Sequence, residues 1–364
     1  MKILITGGHH TSSLPIISKL KTKDPGIELV FVGRKYTDTA RICESLEFKD
    51  ISNLKIKFYD LNTGKFYKSL NFRNILLIIN GIFQSFYILI TQKPNLILSF
   101  GGYIAVPVSF AAWVLGIPIF THEQTVVTGY ANKLISIFAS KIFISWRASA
   151  KYFSPKKVIY SGLPLREEIF DSKMILDLNN QLPTIFVMGG KTGSHTINLL
   201  IKSNLPFLLS KYNVIHQTGN NADNNDFEKL KEEYKNFKHL PGRYICKEFI
   251  FNEEIGSCYS VSDFVICRSG AHTIYELLVL KKKAILIPIP WVSHNEQYEN
   301  ARILQDLGLA IILDENSLSK DAFINALMRI RELKPRIDLI SNHEFPLNAS
   351  SIIVDEITNY LSNK

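Results

Sequence analysis

The residues with the clearest chemical meaning lie between Arg268 and Ala301. An apolar segment, 263–267, is followed by the small-residue turn Arg268-Ser269-Gly270-Ala271-His272-Thr273 and by a helix-like segment that contains Glu276. Such a turn lets an anionic ligand approach the free N–H groups at a helix N-terminus. One turn later, the Glu276 carboxylate can accept hydrogen bonds from a vicinal diol such as a ribose. Phosphate and ribose together indicate a nucleotide.

The alternative is an ordinary strand–turn–helix corner with a solvated Glu276, because small-residue turns are common. The polar loop His294-Asn295-Glu296-Gln297-Tyr298-Glu299-Asn300 follows the next apolar segment and favours the nucleotide interpretation.

Three further turns follow the same design, in which an apolar segment ends in glycine or polar residues before a helix-like segment. They are Gly7-Gly8-His9-His10-Thr11-Ser12, Ser99-Phe100-Gly101-Gly102-Tyr103 and Gly189-Gly190-Lys191-Thr192-Gly193-Ser194. In open α/β sheets, ligands bind at such turns beside the carboxyl ends of strands. None of the three has the full spacing of a dinucleotide fingerprint or a P-loop. The sequence therefore gives little support to a hydride-transfer enzyme or a simple kinase.

The composition predicts a cytoplasmic globular protein of two domains. The length of 364 residues exceeds the roughly 150 of one typical domain, and 46% hydrophobic with 21% charged residues excludes a disordered chain. The first residues, 1–6, are predicted to form a buried strand and lack a signal-peptide cleavage site. Cys43, Cys246, Cys258 and Cys267 lack metal-ligand spacing and are predicted to be reduced packing residues.

A net charge of +9 favours an anionic partner. No run of basic residues resembles a nucleic-acid-binding arm, so no nucleic-acid partner is predicted. Basic residues instead precede the apolar segment 75–90, whose polar interruptions predict a helix that lies on an anionic membrane surface without spanning it. The alternative is a core helix of an α/β domain, and the membrane interpretation concerns only the face that the domain leaves uncovered. The predicted membrane patch consists of Lys65, Lys68, Arg73, Ile75, Ile79, Ile82, Phe83 and Phe86.

Strand-like and helix-like segments alternate in both halves, which predicts an α/β fold of two Rossmann-like, doubly wound domains. The predicted strands are residues 2–6, 28–33, 55–59, 96–99, 117–121 and 141–145 in the first half, and 184–188, 213–217, 244–247, 264–267, 284–288 and 310–313 in the second. The predicted domains are residues 1–164 and 183–350, with a linker at 165–182. A last helix, about 351–362, is a candidate to return to the first domain.

The chain resembles the bacterial MurG family of glycosyltransferases over nearly its whole length. The resemblance rests on motifs in family order: Ser99-Phe100-Gly101-Gly102-Tyr103, His122-Glu123-Gln124 with Gly129 and Ala131-Asn132, Gly162-Leu163-Pro164-Leu165-Arg166, Gly189-Gly190 with Gly193, His216-Gln217-Thr218-Gly219, Glu248-Phe249-Ile250, Arg268-Ser269-Gly270-Ala271 with Thr273 and Glu276, and Gln297 with Asn300-Ala301.

This family transfers N-acetylglucosamine from UDP-GlcNAc to undecaprenyl-diphosphate-MurNAc-pentapeptide, converting lipid I into lipid II for peptidoglycan. The resemblance implies GT-B architecture, with the donor site mainly in the second domain and an acceptor cleft lined by the first. It also implies a peripheral enzyme at the cytoplasmic face of the cell membrane.

The resemblance implies roles for individual donor-site residues. Ile250 would contact uracil through its backbone, Glu276 would bind the ribose hydroxyls, and the turn at Gly190 would hold the diphosphate. Gln297 and Asn300 would bind the sugar, and neutral amides suit a polyol. The implied donor site is Arg166, Gly190, Lys191, Phe249, Ile250, Arg268, Gly270, Ala271, Thr273, Glu276, Gln297 and Asn300.

Departures from the family pattern concern mainly the acceptor side, where the implied residues are Gly8, His10, Gly102, Tyr103, His122, Gln124 and Thr125. The family's first loop is Gly-Gly-Thr-Gly-Gly-His, whereas this chain has a shorter loop. Aligning the helix that follows places His9 on the family histidine, and a gapless count places Ser12 there. The family's His-Glu-Gln-Asn ends in Thr125 here, and the serine of the diphosphate loop becomes Lys191.

An inverting transferase needs a base for the acceptor hydroxyl and electrostatic stabilisation of the leaving diphosphate. His9 is the first candidate for the base or for an acceptor-positioning group, and Glu123 is the second. The alternatives are that His9 caps the following helix and that Glu123 binds local backbone. No carboxylate pair or Asp-x-Asp motif indicates a metal, so metal-independent chemistry without a cofactor is predicted.

Three functions remain open from the sequence. The leading one is the lipid II-forming transfer. A UDP-GlcNAc 2-epimerase would share the fold and the donor site, but it would have no use for an apolar surface beside basic residues. A catalytically inactive nucleotide-sugar-binding protein would bind UDP and turn nothing over.

Overall fold

A computed structural model of the chain describes residues 1–37, 43–65, 71–190, 193–220, 224–292, 295–340 and 344–363. The chain forms two compact units. The N-terminal unit is Met1–Leu165 with Pro346–Lys364, and the C-terminal unit is Arg166–Phe345. The segment predicted as a linker thus belongs largely to the C-terminal unit, beginning with Arg166.

The described part of the N-terminal unit contains a seven-stranded parallel sheet in the order β3-β2-β1-β4-β5-β6-β7. Strands β1 to β7 are Lys2–Thr6, Glu28–Gly33, Lys57–Asp60, Leu96–Ser99, Ile119–Glu123, Lys141–Ile144 and Val158–Tyr160. Helices α1 to α5 are His10–Lys23, Leu46–Asn53, Phe72–Gln92, Gly102–Val114 and Tyr130–Phe138. The strand order reverses between β1 and β4, and ligands of such sheets bind beside the carboxyl ends at this point.

Successive side chains of β1 lie on opposite faces of this sheet. Leu4 packs in a cluster with Ile88 of α3 and Ile104 of α4. Ile5 packs on the other face in a cluster with Ile16 of α1 and Ile353. The sheet is therefore covered on both sides, which explains why strands such as β1 carry apolar residues on both faces.

The last helix, α12 (Ala349–Ser362), packs on the N-terminal unit. Its Asp355 carboxylate lies 2.6 Å from the Lys23 ammonium of α1, and its Glu356 pairs with Lys141 of β6. The Tyr360 ring packs edge-on against Phe120, with centroids 5.2 Å apart. The chain thus returns to its first unit because α12 supplies part of that unit's apolar cover.

The described part of the C-terminal unit contains a six-stranded parallel sheet in the order β10-β9-β8-β11-β12-β13. Strands β8 to β13 are Thr184–Met188, Asn213–Gln217, Tyr244–Lys247, Phe264–Cys267, Lys283–Leu286 and Ala310–Ile312. Helices α6 to α11 are His195–Lys211, Asp226–Tyr234, Asn252–Val261, Ala271–Val279, Glu296–Asp306 and Lys320–Glu332. Here the order reverses between β8 and β11.

The predicted fold of two Rossmann-like, doubly wound domains is confirmed. Every predicted strand is present with small differences at its ends. Strand β7 was missed because it is short and follows the lysines Lys156 and Lys157. The cysteine prediction is wrong for Cys43, which is exposed, whereas Cys258 and Cys267 are buried packing residues.

Candidate functional site

Two glycine turns of the N-terminal unit meet at the carboxyl ends of β1 and β4. Gly8 donates its N–H to the Gly101 carbonyl at 3.0 Å. Gly7 has a φ of +134°, and a Cβ there would lie 2.8 Å from the Gly101 oxygen. A Cβ on Gly102 would lie 3.1 Å from the Gly8 nitrogen. This close approach requires glycine, and it brings together the turns that begin α1 and α4.

His9 immediately precedes α1, and its side chain is exposed. It occupies the N-cap position of α1, but among the described contacts its side chain makes no capping hydrogen bond with that helix. Ser12 is fully buried, and its hydroxyl donates to Gln124 Oε1 at 3.2 Å. Of His9 and Ser12, solvent therefore reaches only His9.

His10 lies beside His9 but has a different environment. Its Nε2 is 2.9 Å from the Asp50 Oδ2, and the ring is buried. The pair links the start of α1 to α2. Sequence reasoning missed Asp50, because nothing in the local pattern around it indicates a partner forty residues away.

Glu123 ends β5 and is 3% exposed. Its Oε1 accepts the Thr125 N–H at 2.9 Å and lies 2.7 Å from the Thr125 hydroxyl, while Oε2 accepts from Asn132 Nδ2 at 3.0 Å. Burial raises the pKa of this carboxyl group above its ordinary value, although the hydrogen bonds from Thr125 and Asn132 oppose the shift. Glu123 therefore binds the local loop, as the alternative predicted, and it remains a candidate base.

Asn132 of α5 binds the end of β5 at three residues, although no role of its own was predicted for it. Its Nδ2 donates to Glu123 and to the His122 carbonyl at 3.2 Å, and its Oδ1 accepts from the Thr121 hydroxyl at 3.3 Å. A Cβ on Gly101 would lie 2.6 Å from the Asn132 oxygen. The usable signal was a polar residue on the buried side of an amphipathic helix.

His122 is buried between β5 and β6. Its Nε2 lies 3.1 Å from Ser145 Oγ and 3.3 Å from the Gly162 carbonyl. Burial lowers the pKa of His122 from 6.5 to about 4, so the ring is neutral at physiological pH. Its neighbour Gln124 accepts the Trp146 indole N–H on its backbone carbonyl at 3.0 Å. His122 and Gln124 thus support the end of β5 and the loop that follows it from within.

Tyr103, in the first turn of α4, is half-buried. The Lys65 ammonium lies 5.4 Å from the centre of the Tyr103 ring, within the range of a cation–π interaction. Lys65 was predicted to belong to the membrane patch, and the structure places it against a predicted acceptor-side residue.

The glycine turn after β8 is tightly packed in the C-terminal unit. A Cβ on Gly193 would lie 1.9 Å from the Thr218 carbonyl oxygen, and a Cβ on Gly189 would lie 2.2 Å from the Ser194 nitrogen. Ser194 caps α6, with its hydroxyl 3.4 Å from the Ile197 N–H. Lys191, predicted to contact the diphosphate, lies outside the described residues.

Glu276 of α9 is 4% exposed and lies in a cluster of three side chains. Arg166 donates to it from Nε at 3.1 Å and from Nη2 at 3.4 Å, and the buried Tyr259 hydroxyl donates at 2.8 Å. A carboxylate offers about four lone-pair sites, so these donors leave about one for a ligand. Two predicted donor-site residues are thus brought together, and Tyr259 is a partner that sequence reasoning missed.

Arg268 follows β11, as predicted, but its guanidinium is buried. It donates to Glu315 at 2.6 and 3.2 Å and to the Ile287 carbonyl at 2.9 Å, and Glu315 also accepts from the Thr196 hydroxyl of α6 at 2.6 Å. The arginine therefore ties the start of α6 to the strand edge through Glu315. Sequence reasoning missed Glu315, because it lies in a short turn without a motif.

The remaining predicted donor residues lie along the same strand edge. Gly270 precedes α9 without a side-chain cap in the described part of the chain. Gln297 accepts the Ile289 N–H at 3.0 Å, and the fully buried Asn300 donates to the Ser269 carbonyl at 3.2 Å. These two amides therefore support backbone turns. Ala271 and Ile250 are buried, and Gly190, Phe249 and Thr273 are half-buried.

Helix α3 exposes much of its apolar surface. By length and composition alone it is long and apolar enough to cross a membrane, and only 28% of its most apolar window is buried. A core helix is therefore the wrong description for most of it. Of the predicted patch, Ile75, Ile79 and Phe83 are 39%, 44% and 69% exposed. Ile82 and Phe86 are half-buried, Arg73 is exposed, and Lys68 lies outside the described residues.

Within the described ranges, no group of three or more His, Cys, Asp or Glu side chains is placed to hold a metal ion. The ion pairs at Glu276 and Arg268 are accordingly contacts between protein groups.

Comparisons with known proteins cover both units. The glycosyltransferase family 28 N-terminal domain matches residues 6–144, and the C-terminal domain of that family matches residues 184–347. A relative from Clostridium botulinum is described as UDP-N-acetylglucosamine--N-acetylmuramyl-(pentapeptide) pyrophosphoryl-undecaprenol N-acetylglucosamine transferase. It is 32% identical over 370 residues, which cover 98% of this chain and 97% of the relative. A relative of the same description from Geobacillus thermodenitrificans is 30% identical over 92% of each chain.

Solved structures show the same fold. The crystal structure of Acinetobacter baumannii MurG matches with a TM-score of 0.73 and 23% identity over 98% of this chain and 99% of that chain. UDP-GlcNAc 2-epimerase from Neisseria meningitidis matches with a TM-score of 0.62 and 18% identity over 99% of this chain and 100% of that chain. At these identities the likeness concerns the fold, and it agrees with the predicted GT-B class.

Proposed function

The chain belongs to the MurG family within glycosyltransferase family 28, and we propose that it transfers N-acetylglucosamine from UDP-GlcNAc to the MurNAc of an undecaprenyl-diphosphate-linked muramoyl-pentapeptide, with inversion at the anomeric carbon. The observation that carries the proposal is 32% identity across 98% of the chain to a relative named for this transfer. The likeness to epimerases extends to the fold alone, so the transferase is favoured.

The donor would bind at the carboxyl edge of the C-terminal sheet. The uncapped start of α9 offers N–H groups, and the lone-pair site that Arg166 and Tyr259 leave on Glu276 suits a ribose hydroxyl. Because Arg166 also neutralises the Glu276 carboxylate, an anionic diphosphate can bind nearby with less repulsion. Negative charge that develops on departing UDP would be stabilised by the same helix N-terminus.

The acceptor hydroxyl must lose its proton as it attacks the anomeric carbon. We assign this step to His9, because its side chain is exposed and is not engaged in capping α1. His122 is buried against Ser145 and the Gly162 carbonyl, and the Glu123 oxygens are occupied by Thr125 and Asn132, so both suit support of the loop better than proton transfer. The base is therefore proposed to come from the glycine turn after β1.

The acceptor is linked to a lipid, which requires the enzyme to reach a membrane surface. The exposed apolar side chains of α3, together with Arg73 at its start, suit a peripheral site on anionic lipid. Burial of Gly81, Ser85, Ile88 and Leu89 in the N-terminal unit supports a helix that lies on the membrane and stays attached to its domain.

The test is an assay of purified protein with UDP-GlcNAc and a soluble lipid I analogue, in which UDP release and the disaccharide product are both followed. The proposal predicts one disaccharide per UDP released, and no consumption of UDP-GlcNAc without acceptor beyond slow hydrolysis. Formation of UDP-ManNAc without acceptor would establish an epimerase instead. Binding of UDP-GlcNAc with no product in either reaction would establish an inactive nucleotide-sugar-binding protein.

A further inference from the structure

The Gln217 side chain connects two turns at the carboxyl edge of the C-terminal sheet. It donates from Nε2 to the Gly190 carbonyl at 2.9 Å, and its Oε1 accepts the Ile250 N–H at 3.1 Å. Gln217 is 8% exposed, and Ile250 is equally buried. An amide has one donor end and one acceptor end, so only one orientation of Gln217 satisfies both partners.

The position of Gln217 in the sheet explains why it reaches both turns. It is the last residue of β9, which lies between β8 and β10, and it is in register with Met188 of β8 and Lys247 of β10. Gly190 and Ile250 follow shortly after those two residues. A side chain at the end of the middle strand can therefore bind the loops on both sides.

The Gly190 carbonyl accepts a second hydrogen bond, from the Gly193 N–H at 3.1 Å. Its two lone pairs are thus directed to Gln217 and to the turn itself. Gly190 has a φ of +91°, a conformation that the contacts must hold in place. Without Gln217 this carbonyl would be held by the Gly193 N–H alone, and its unpaired lone pair would repel an incoming anion.

We propose that Gln217 is a positioning residue for the donor, which holds the diphosphate turn at Gly190 and the base-binding backbone at Ile250 at a fixed separation. The inference rests on the proposed function and on the roles that the family resemblance implies for these two turns, the Gly190 turn for the diphosphate and the Ile250 backbone for uracil. A nucleoside diphosphate contacts both turns at once only if the distance between them stays fixed. The Gln217 amide is a direct link between the two turns. Selectivity for uracil depends on this link, because backbone groups discriminate bases only when their position is fixed.

The experiment measures Kd for UDP, CDP and uridine by calorimetry or by competition, with the full-length protein. Gln217→Met keeps the length of the side chain and removes both hydrogen bonds. We expect it to weaken UDP binding about 10-fold and to lower the preference for UDP over CDP, because each lost hydrogen bond is worth a few-fold in affinity. Gln217→Glu keeps the acceptor for Ile250 and loses the donor for Gly190, so it should weaken UDP binding more than uridine binding.

The matched control is Asn213→Leu. Asn213 begins the same strand and is a fully buried amide that binds Asn179, Leu182 and Thr184 at the opposite edge of the sheet. The Asn213→Leu substitution should lower the unfolding temperature without changing the ratio of UDP to CDP affinity. Equal ratios in Gln217→Met and wild type, or the same change of ratio in Asn213→Leu, would overturn the inference. A wild-type protein that binds no UDP would overturn the proposed function as well, so the two failures are distinguishable.

Discussion

At the scale of single residues, Glu276 is held by protein partners before any ligand arrives. Replacing it with alanine would leave the buried Tyr259 hydroxyl and the Arg166 guanidinium without their acceptor, and loss of stability would then obscure its role in binding. A substitution that keeps the shape of the side chain is therefore more informative.

Glu276→Gln should weaken UDP-GlcNAc binding by about 1.5–3 kcal/mol, because hydrogen bonds to a charged acceptor are replaced by weaker ones to a neutral amide. Calorimetry on folded protein measures the effect. Tyr259→Phe is the matched control, since it removes one Glu276 contact and should reduce stability with little effect on the donor. Wild-type donor affinity in Glu276→Gln would remove this residue from the donor site.

His9 is exposed, whereas its neighbour His10 is buried against Asp50, which separates the two histidines functionally. His9→Gln should lower kcat about 100-fold with little change in donor binding, the size expected when a general base is lost. His10→Gln should mainly lower the unfolding temperature. A severe loss of kcat in Glu123→Gln or Ser12→Ala, with near-normal His9→Gln, would show that another group is the base.

At the scale of elements, the role of helix α3 depends on which of its side chains are exposed and not on its amino-acid composition. Its N-terminal half is open to solvent, while its C-terminal half contributes Ile88 and Leu89 to the core. An apolar sequence of this length would also suit a membrane-spanning helix. The contacts of α3 with the N-terminal unit distinguish a helix that lies on the membrane from one that spans it.

Phe83→Glu should sharply reduce binding to vesicles that contain anionic lipid, because it places a charge in the apolar face of α3. Arg73→Glu should weaken binding by about 1–2 kcal/mol, and added salt should act in the same direction. Activity on membrane-embedded acceptor should fall much more than activity on a short-chain soluble analogue.

The control is Ile175→Glu, which alters an apolar residue that is 96% exposed in the C-terminal unit. It should leave vesicle binding unchanged. Equal effects of Phe83→Glu and Ile175→Glu, or equal losses on the two acceptors, would exclude α3 as the membrane-binding surface.

At the scale of the whole molecule, each unit contains a buried histidine that is neutral when folded. Burial lowers the pKa of His122 to about 4 and that of His216 to about 3, from 6.5. His216 lies 2.8 Å from the Tyr244 hydroxyl and 3.0 Å from Asn198 Oδ1. Below pH 6.5 the unfolded chain binds protons that the folded chain excludes, so stability must fall as the pH falls toward about 4.

Each of these imidazoles contributes up to about 1.4 kcal/mol of lost stability per pH unit in that window. Calorimetric unfolding at pH 7.5 and 5.5 should therefore show a clear decrease in transition temperature. His216→Gln should lower stability at both pH values and make the difference between them smaller. An unchanged difference would mean that His216 does not exclude a proton in the folded state.

Much of this protein was decided by the sequence alone, because the relevant physics is local. The alternation of apolar runs and helix-like segments predicted both sheets, since hydrophobic periodicity reflects which face of an element is buried. The glycine turns at Gly7, Gly101 and Gly193 were also visible, because positive φ and close backbone approach require glycine. The family motifs located the strand edges at which the candidate site lies.

Only the tertiary structure decided which side chains are partners and which are free. Arg166 and Glu276 are 110 residues apart, and they meet because the fold brings both to one strand edge. His9 and Ser12 were equivalent alternatives in the sequence, yet one is exposed and the other is buried against Gln124. The pairing and burial of side chains depend on the strand order and on how the helices cover the sheets. The spacing of residues along the sequence does not determine the strand order or the helix cover.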